Sequence, residues 1–330
     1  MVSALILSGF FSLVWPAVLS AEQRYLHSYS GISSTQGTIW AAKDLGLFEK
    51  YGITVDLVFM SGGARGMQAL LGGSTHFADS DGIAPINAVL RGGDVVIVGG
   101  LNNRHQFKFV AQKEIREPSD LRGKKIGVAN FGGSNEFAAL LALKKWNIPR
   151  EAVTLVASGG SPVRLAAMEK KGLDATVLPY DHSLTAARMG MNILADIPDL
   201  IASFPDKVLT VRRSFLKKER EVVKRYLQAL SEGVYQFNTD RERSIGILAS
   251  RLKVRDPKVV EENYNLYRGV FPLPPRVGRD GLRNVLEQIQ LQTVGIKAEP
   301  DLQRFLDESV IDELEKEGFY KRFTGKEVRK

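Results

Sequence analysis

Serine and glycine recur together at five short turns of this sequence, each placed before a segment of helical pattern. The turns are SGISSTQ (30–36), SGG (61–63), SDG (80–82), GGSNE (132–136) and SGG (158–160). Unpaired N–H groups at a helix N-terminus carry partial positive charge, glycine lets backbone approach a ligand, and serine adds a hydroxyl donor. Together these groups suit the binding of a small oxyanion.

A structural role is the alternative for each turn, because Ser-Gly before a helix is commonly an N-cap with a tight bend. Ligand binding is favoured by their shared position at the ends of predicted strands, where ligands of open parallel sheets bind. The predicted ligand-binding residues, including larger side chains beside the turns, are Ser33, Ser34, Gln36, Ser61, Gly62, Arg65, Ser80, Asp81, Asn102, Gly132, Ser134, Ser158 and Tyr180.

Charged and aromatic side chains stand beside several of these turns. Arg65 follows the first SGG and the segment NNR (102–104) follows a predicted strand, so either arginine could bind a carboxylate, sulfonate or phosphonate or lie solvated on the surface. Tyr180 could stack on an unsaturated ligand or pack at the rim of a cleft. Asp81 and Asp181 would repel an anion unless they bind water or an amine, which leaves an amine-containing or zwitterionic ligand open.

Apolar periodicity predicts strands that alternate with helices, as in ITVDLVFM (53–60) followed by ARGMQALLGG (64–73). Alternation at this spacing indicates an α/β fold with mostly parallel sheets flanked by helices. Similar strand, turn and helix modules fill about residues 24–110 and about 113–200, and the two SGG turns hold corresponding places in them. The sequence thus predicts two lobes of related topology.

After Asp206 the pattern changes to one strand and then long amphipathic helices. A helical region of this size needs a surface to pack on, so we expect it to cover the first lobe, with the chain crossing between the lobes twice. The predicted first lobe comprises residues 22–112 and 206–330, and the predicted second lobe comprises residues 113–205.

The first 21 residues contain no charged side chain, and their apolar run ends in small residues. This pattern predicts a secretory signal peptide over residues 1–21, cleaved near Ser20 or Ala21, and therefore a periplasmic protein. A single N-terminal membrane anchor is the alternative, which Pro16 and the shortness of the run disfavour.

Composition limits the chemistry that this chain can perform. With 330 residues, 44% of them apolar, it is typical of a globular protein with room for two cores. It has no cysteine, which excludes a thiol nucleophile and a thiolate metal site, and its four histidines lack metal-ligand spacing. The net charge of +8 is scattered and favours small anions, without the basic stripe that nucleic-acid binding needs.

The glycine-rich turns also lack the signatures of catalysis. None ends in the Gly-Lys-Ser/Thr of a nucleotide-binding loop, and no serine has the Gly-x-Ser-x-Gly context of a hydrolase nucleophile. The sequence therefore predicts a binding protein for a small molecule, with no catalytic residue, no cofactor, no metal site and no nucleic-acid partner.

Five segments resemble, in order, the periplasmic solute-binding proteins of the nitrate, sulfonate and taurine type, which serve ABC importers. They are IWAAKDLGLFEKYGITVDLVFMSGG, ALLGGSTHFADSDG, EPSDLRGKKIGVANFGGSNEFAALLALKKWNI, AAMEKKGLDATVLP and VLTVRRSFLKKEREVVKRYLQAL, covering most of residues 35–237. The resemblance implies a two-lobed type II periplasmic-binding-protein fold that closes on a small anionic solute. It also implies a monomer that delivers this solute to an ABC permease in the inner membrane.

Two alternatives remain within the same resemblance. Relatives concerned with thiamine-pyrimidine synthesis include binding proteins and enzymes, and some of the enzymes use a Cys-rich segment that this cysteine-free chain does not have. The other alternative is a sensor that binds a solute and reports to a membrane kinase.

Overall fold

The computed structural model describes residues 23–201, 203–293 and 301–324. The predicted signal peptide, residues 1–21, lies outside the described residues. The strands are β1 (Arg24–Tyr29), β2 (Thr54–Phe59), β3 (Phe77–Ser80), β4 (Val95–Asn102), β5 (Phe107–Ala111), β6 (Lys125–Val128), β7 (Thr154–Ala157), β8 (Ala175–Pro179), β9 (Asn192–Asp196) and β10 (Lys207–Arg212).

Helices follow most of the strands and make up the C-terminal part of the described chain. They are α1 (Gly37–Asp44), α2 (Leu47–Lys50), α3 (Gly63–Leu71), α4 (Ile83–Leu90), α5 (Ser134–Lys145), α6 (Ser161–Glu169), α7 (Tyr180–Arg188), α8 (Arg213–Lys218), α9 (Arg220–Thr239), α10 (Arg241–Leu252), α11 (Pro257–Tyr267), α12 (Arg279–Thr293), α13 (Ser309–Lys316) and α14 (Lys321–Thr324). A short 3-10 helix, Ser34–Gln36, leads directly into α1.

The strands form two five-stranded sheets built on one plan. The first has the order β2-β1-β3-β10-β4 and the second the order β7-β6-β8-β5-β9. In each sheet the first three strands are parallel, and the fourth is antiparallel to both of its neighbours. Hence β1 corresponds to β6, β2 to β7 and β3 to β8. The predicted two-lobed α/β fold with mostly parallel sheets is confirmed.

The chain passes between the sheets twice, after β4 and again after β9. The prediction that the first lobe extends to residue 112 is wrong, because β5 pairs with β8 and β9 in the second sheet. The sequence hides this boundary, since no helix separates β4 from β5 to mark a new module. Below, the first lobe means the first sheet with α1–α4 and α8–α14, and the second lobe means the second sheet with α5–α7.

The C-terminal helices pack on the first sheet, as the sequence predicts. Tyr226 of α9 stacks on Phe77 of β3 with 3.9 Å between ring centroids. Leu282 and Val285 of α12 are fully buried in a second cluster that also holds Ile97 of β4. Because helices cover both faces of this sheet, β4 is buried along its whole length, and its residues are apolar up to the final Asn102.

Local signals set where several helices begin. Asp240 and Asp256 directly precede α10 and α11, and their carboxylates accept hydrogen bonds from backbone N–H groups of the first helical turn. Helix α3 begins after Gly62, whose φ of 81° lies in the region that favours glycine. Among the described residues, no helix combines the length and apolar character needed to cross a bilayer.

Candidate functional site

A polar cavity of about 60 Å³ lies between the lobes, at the carboxyl ends of β1, β3, β6 and β8. The first lobe lines it with Ser30, Gly31, Ser33, Thr35, Gly62, Gly63, Asp81, Asp206 and Lys207. The second lobe lines it with Phe107, Ala129, Asn130, Gly133, Ser134, Asn135, Gly160, Ser161, Arg164 and Pro179. Strand ends that lead into helix N-termini are where open parallel sheets bind ligands.

Three helices begin at the cavity wall. Helix α3 begins at Gly63, α5 at Ser134 and α6 at Ser161, and all three residues line the cavity. The first N–H groups of a helix have no partner within the helix, so each start supplies donors and partial positive charge. The wall thus offers backbone donors from both lobes.

Gly62 lets the two lobes approach each other closely at this wall. A Cβ on Gly62 would overlap the side chain of Asn130 in the other lobe. In addition, Asn130 Nδ2 donates a hydrogen bond to the backbone oxygen of Ser61 at 3.1 Å. The first SGG turn therefore serves as a contact surface between the lobes.

Arg164 places a buried positive charge at the cavity. Only 1% of its surface is exposed, and it donates from Nε to Thr176 Oγ1 and from Nη2 to the Val177 oxygen, each at 3.0 Å. Nη1 donates to the Gly159 oxygen. All three acceptors are neutral, and no ion pair of Arg164 occurs in the described part of the chain.

Burial lowers the pKa of Arg164 to about 10, which still leaves the guanidinium ionised at neutral pH. A guanidinium has five N–H bonds, and three of them point to the acceptors just described. Arg164 therefore keeps capacity to bind and to neutralise an anion in the cavity.

Lys207 adds a second cation at the start of β10. Its Nζ donates to Ser30 Oγ at 3.2 Å and lies 3.8 Å from Asp79 Oδ1. Asp79 is fully buried beside the cavity-lining loop and also accepts the Ser30 N–H at 3.1 Å. The charge of Lys207 is thus partly balanced by Asp79, unlike that of Arg164.

Asp206 brings negative charge to the wall but is already engaged by its own lobe. Its Oδ1 lies 2.9 Å from His105 Nδ1, and its Oδ2 accepts from Asn102 Nδ2 at 3.3 Å. The His105 ring is fully buried and stacks on Phe204. These contacts fix Asp206 in place and reduce its field in the cavity.

Asp81 lies opposite the start of α5. Its Oδ1 accepts the N–H groups of Ile83 and Ala84, and its Oδ2 accepts the Ser134 N–H at 3.1 Å. Burial raises the pKa of Asp81, while the N–H groups of Ser134 and Ala84 partly oppose that rise. This carboxylate is therefore less strongly acidic than an exposed aspartate.

Comparison with known proteins identifies the family to which this chain belongs. The sequence profile of the family described as NMT1/THI5-like matches residues 34–241, more than half of the 330 residues. The chain belongs to the NMT1/THI5-like family. The predicted resemblance to the nitrate, sulfonate and taurine type of binding protein is thereby confirmed.

Other relatives of this NMT1/THI5-like protein fit that assignment. A Brucella abortus protein, whose name provisionally assigns it a binding role, is 29% identical over 248 residues, covering 73% of this chain and 74% of its own. The alkanesulfonate-binding protein of Xanthomonas axonopodis pv. citri, bound to MOPS, superposes with a TM-score of 0.71 at 20% identity, over 88% of this chain and 99% of that one.

A third comparison is with a ligand-binding component of an ABC-type import system from Staphylococcus aureus, with zinc bound. It superposes with a TM-score of 0.71 at 15% identity, over 88% of this chain and 98% of that one. At these identities the two solved structures support the fold. In this NMT1/THI5-like protein, no group of three His, Asp or Glu side chains suited to a metal occurs among the described residues.

The structure brings four of the predicted site residues together on the cavity wall: Ser33, Gly62, Asp81 and Ser134. The other predicted residues lie off that wall: Ser34, Gln36, Ser61, Arg65, Ser80, Asn102, Gly132, Ser158 and Tyr180. Most of these have structural partners close by.

Arg65 and Tyr180 are two predicted site residues that lie away from the cavity wall. Arg65 is exposed on α3. The Tyr180 hydroxyl donates to Asp196 Oδ1 at 2.7 Å, and its ring packs against the core of the first lobe. These contacts support packing of Tyr180 at the rim of the cleft rather than stacking on a ligand.

Several of the residues off the wall are bound to neighbours within their own lobes. Gln36 Nε2 contacts Asp79 Oδ1 at 3.5 Å, and Ser80 Oγ donates to the Asp81 oxygen. Ser158 Oγ donates to the Val156 oxygen at the end of β7 and does not cap α6, which begins after Gly160. Gly132 donates its N–H to the side chain of Glu136.

Sequence reasoning missed Arg164, Lys207 and Asp206. A signal for Arg164 was present, since it lies in the helix that follows the second SGG turn much as Arg65 follows the first. Lys207 and Asp206 reach the wall only because the chain returns to the first sheet at β10, and this long-range placement leaves no local signal.

Proposed function

We propose that this protein is the solute-binding receptor of an ABC importer, which takes a small anion into the cavity between its lobes and delivers it to a permease in the inner membrane. The observation that carries the proposal is the buried guanidinium of Arg164 at a cavity lined by both lobes. Such a receptor acts in the periplasm, as a monomer, after removal of its signal peptide.

The charges of the wall support an anion as the ligand. Arg164 has neutral partners, whereas Asp206 is bound by His105 and Asn102. The helix starts of α3, α5 and α6 add N–H donors. An oxyanion in the cavity would accept from these donors and balance the guanidinium.

The size of the cavity supports a small solute. Its volume of about 60 Å³ is several times the ~10–15 Å³ that one water needs. It is far below the ~300–1,000 Å³ of pockets for drug-sized ligands. Nitrate, bicarbonate or the head group of a sulfonate suits this space better than an aromatic carboxylate or a pyrimidine.

Walls from both lobes support binding with closure rather than chemistry. A ligand held from both sides stabilises the closed state through its differential affinity for that state. The similarities to a ligand-binding component of an ABC-type import system and to an alkanesulfonate-binding protein support the same role.

A thermal-shift screen of the refolded, ligand-stripped protein tests this proposal. The panel comprises nitrate, bicarbonate, methanesulfonate, benzoate and a pyrimidine. A ligand at a hundred times its Kd adds about 2.7 kcal/mol of stability, which raises the Tm of a chain of this size by roughly 4 °C.

Two further measurements complete the test. X-ray scattering should show a smaller radius of gyration with the ligand that gives the largest shift, and that ligand should be recovered chemically unchanged. Turnover of the ligand, or binding without compaction, would contradict a receptor that closes on its solute.

A further inference from the structure

Two aspartates join the lobes in a reciprocal manner. Asp81 of the first lobe accepts the Ser134 N–H of the second lobe at Oδ2, with a distance of 3.1 Å. Asp181 of the second lobe accepts the Ser34 N–H of the first lobe at Oδ2, with a distance of 2.7 Å. Each carboxylate therefore binds the start of a helical segment in the opposite lobe.

The other oxygen of each carboxylate holds it to its own helix. Asp81 Oδ1 accepts the Ile83 N–H at 3.0 Å, and Asp181 Oδ1 accepts the His182 N–H at 3.0 Å. Both aspartates are at least nine-tenths buried, with 6% and 5% of their surfaces exposed. Each carboxylate is thus held both by its own helix and by the opposite lobe.

These four residues occupy corresponding places in the two lobes. Asp81 follows β3 and Asp181 follows β8, and these strands have the same position in their sheets. Likewise Ser34 follows β1 and Ser134 follows β6. The two contacts are related by the internal repeat, so each lobe supplies the carboxylate of one contact and the N–H donor of the other.

The two contacts differ in their relation to the cavity. Asp81 and Ser134 line it, whereas Asp181 and Ser34 do not. The Ser134 N–H is one of the donors that an anion in the cavity would use, and the carboxylate of Asp81 now accepts it. Arg164 lies on the same wall and supplies the positive charge that would pair with that anion.

We propose that Asp81 and Asp181 form a reciprocal latch that stabilises the closed arrangement of the lobes, and that Asp81 also competes with the solute anion for the Ser134 N–H. The latch stands on the interlobe contacts alone, while the competition rests on the proposed function. Bonds from N–H groups to ionised carboxylates are stronger than those between neutral groups. A tethered carboxylate would make the site discriminate against weakly binding anions.

The latch is tested without ligand, by measuring the distance between the lobes. The chain has no cysteine, so Ser74→Cys after α3 and Lys170→Cys after α6 give two unique labelling sites, both exposed and at corresponding places in the lobes. Asp81→Asn and Asp181→Asn keep the side-chain shape and one acceptor oxygen. Each is expected to lengthen the mean distance between the labels by favouring the open state.

Asp174→Asn is the matched control. Asp174 also accepts a backbone N–H, from Lys125 at 2.8 Å, but both residues belong to the second lobe. This variant should leave the distance between the labels unchanged. An unchanged distance in both Asp81→Asn and Asp181→Asn, with circular dichroism showing folded protein, would overturn the latch.

The competition is tested by titration calorimetry with nitrate and with methanesulfonate as probes. Asp81→Asn is expected to bind the anion about tenfold more tightly, because a negative charge leaves the cavity. Asp181→Asn is expected to bind about threefold more weakly, because fewer molecules are closed. Weaker binding by both variants would overturn the competition and leave only a structural role for Asp81.

The two parts of the proposal fail separately. If neither probe binds the wild-type protein or Asp81→Asn, the anion site of the proposed function and the competition are both rejected. In that case the distance between the two labels still tests the latch, because it is measured without any ligand.

Discussion

Replacing Arg164 by methionine removes a buried positive charge from the cavity wall and keeps a side chain of similar length. A pKa of about 10 in place of 12.5 means that burial disfavours the cation by about 3 kcal/mol. The substitution relieves this cost. It also leaves three acceptors without their donor, on Thr176, Val177 and Gly159, at about 1 kcal/mol each. The two effects nearly cancel, so the free energy of unfolding of the ligand-free protein should change by less than about 2 kcal/mol.

Anion binding should change far more than stability. A unit charge about 4 Å from the guanidinium gains about 4 kcal/mol at an effective dielectric constant of about 20. Loss of that interaction corresponds to roughly a 10³-fold increase in Kd. The assay is titration calorimetry with the anion that gives the largest thermal shift, together with urea unfolding of the ligand-free variant.

Arg65→Met is the matched control, because Arg65 holds the similar place after the first SGG turn but is exposed and off the cavity wall. Its affinity for the anion should stay within about twofold of wild type, as is usual for a solvated surface charge. Wild-type affinity in Arg164→Met, or an equal loss in Arg65→Met, would refute the assignment of Arg164 to the anion site.

Further predictions concern pH, the lobe contact and the core. Burial raises the pKa of Asp81. Anion affinity should therefore rise as the pH falls through that pKa, because protonation of Asp81 removes a negative charge from the wall that also carries Asp206, Lys207 and Arg164. A calorimetric pH series should show this rise in the wild-type protein and not in Asp81→Asn. Gly62→Ala should widen the label distance, since its Cβ would overlap the Asn130 side chain and its φ is positive; an unchanged distance would contradict the close contact. Gly37→Ala should lower the free energy of unfolding by about 1–3 kcal/mol in urea, because its Cβ would overlap the Phe237 ring between α1 and α9.

Local sequence patterns predict most of the strands, helices and turns of this protein, but they do not predict β5. Gly62 and Ser134 were foreseeable because a tight turn before a helix requires particular residue types, and strand ends are known binding places. Residues 107–111, which form the antiparallel strand β5, fall on the wrong side of the predicted lobe boundary, because their pairing is decided by strands far along the chain.

The remaining parts of the site depend on contacts that no local pattern encodes. Lys207 meets Ser30 across 177 positions of sequence, and Asp181 meets Ser34 across 147. Hydrogen bonds to β8 hold the Arg164 side chain at the wall, and the helical pattern of α6 does not predict these bonds. The sequence thus predicts part of the cavity wall, including Asp81, but not Arg164, Lys207 or Asp206.

The place of β10 between β3 and β4 has a consequence for the order of folding. The second sheet is built from one continuous segment, residues 107–196, so its strands are all available once that segment has emerged. The first sheet lacks an inner strand until residues 207–212 arrive, and β3 and β4 have no direct pairing without it. Contacts so distant in sequence form slowly. The N-terminal lobe is therefore expected to be the last to complete its structure, although it is the first to be synthesised.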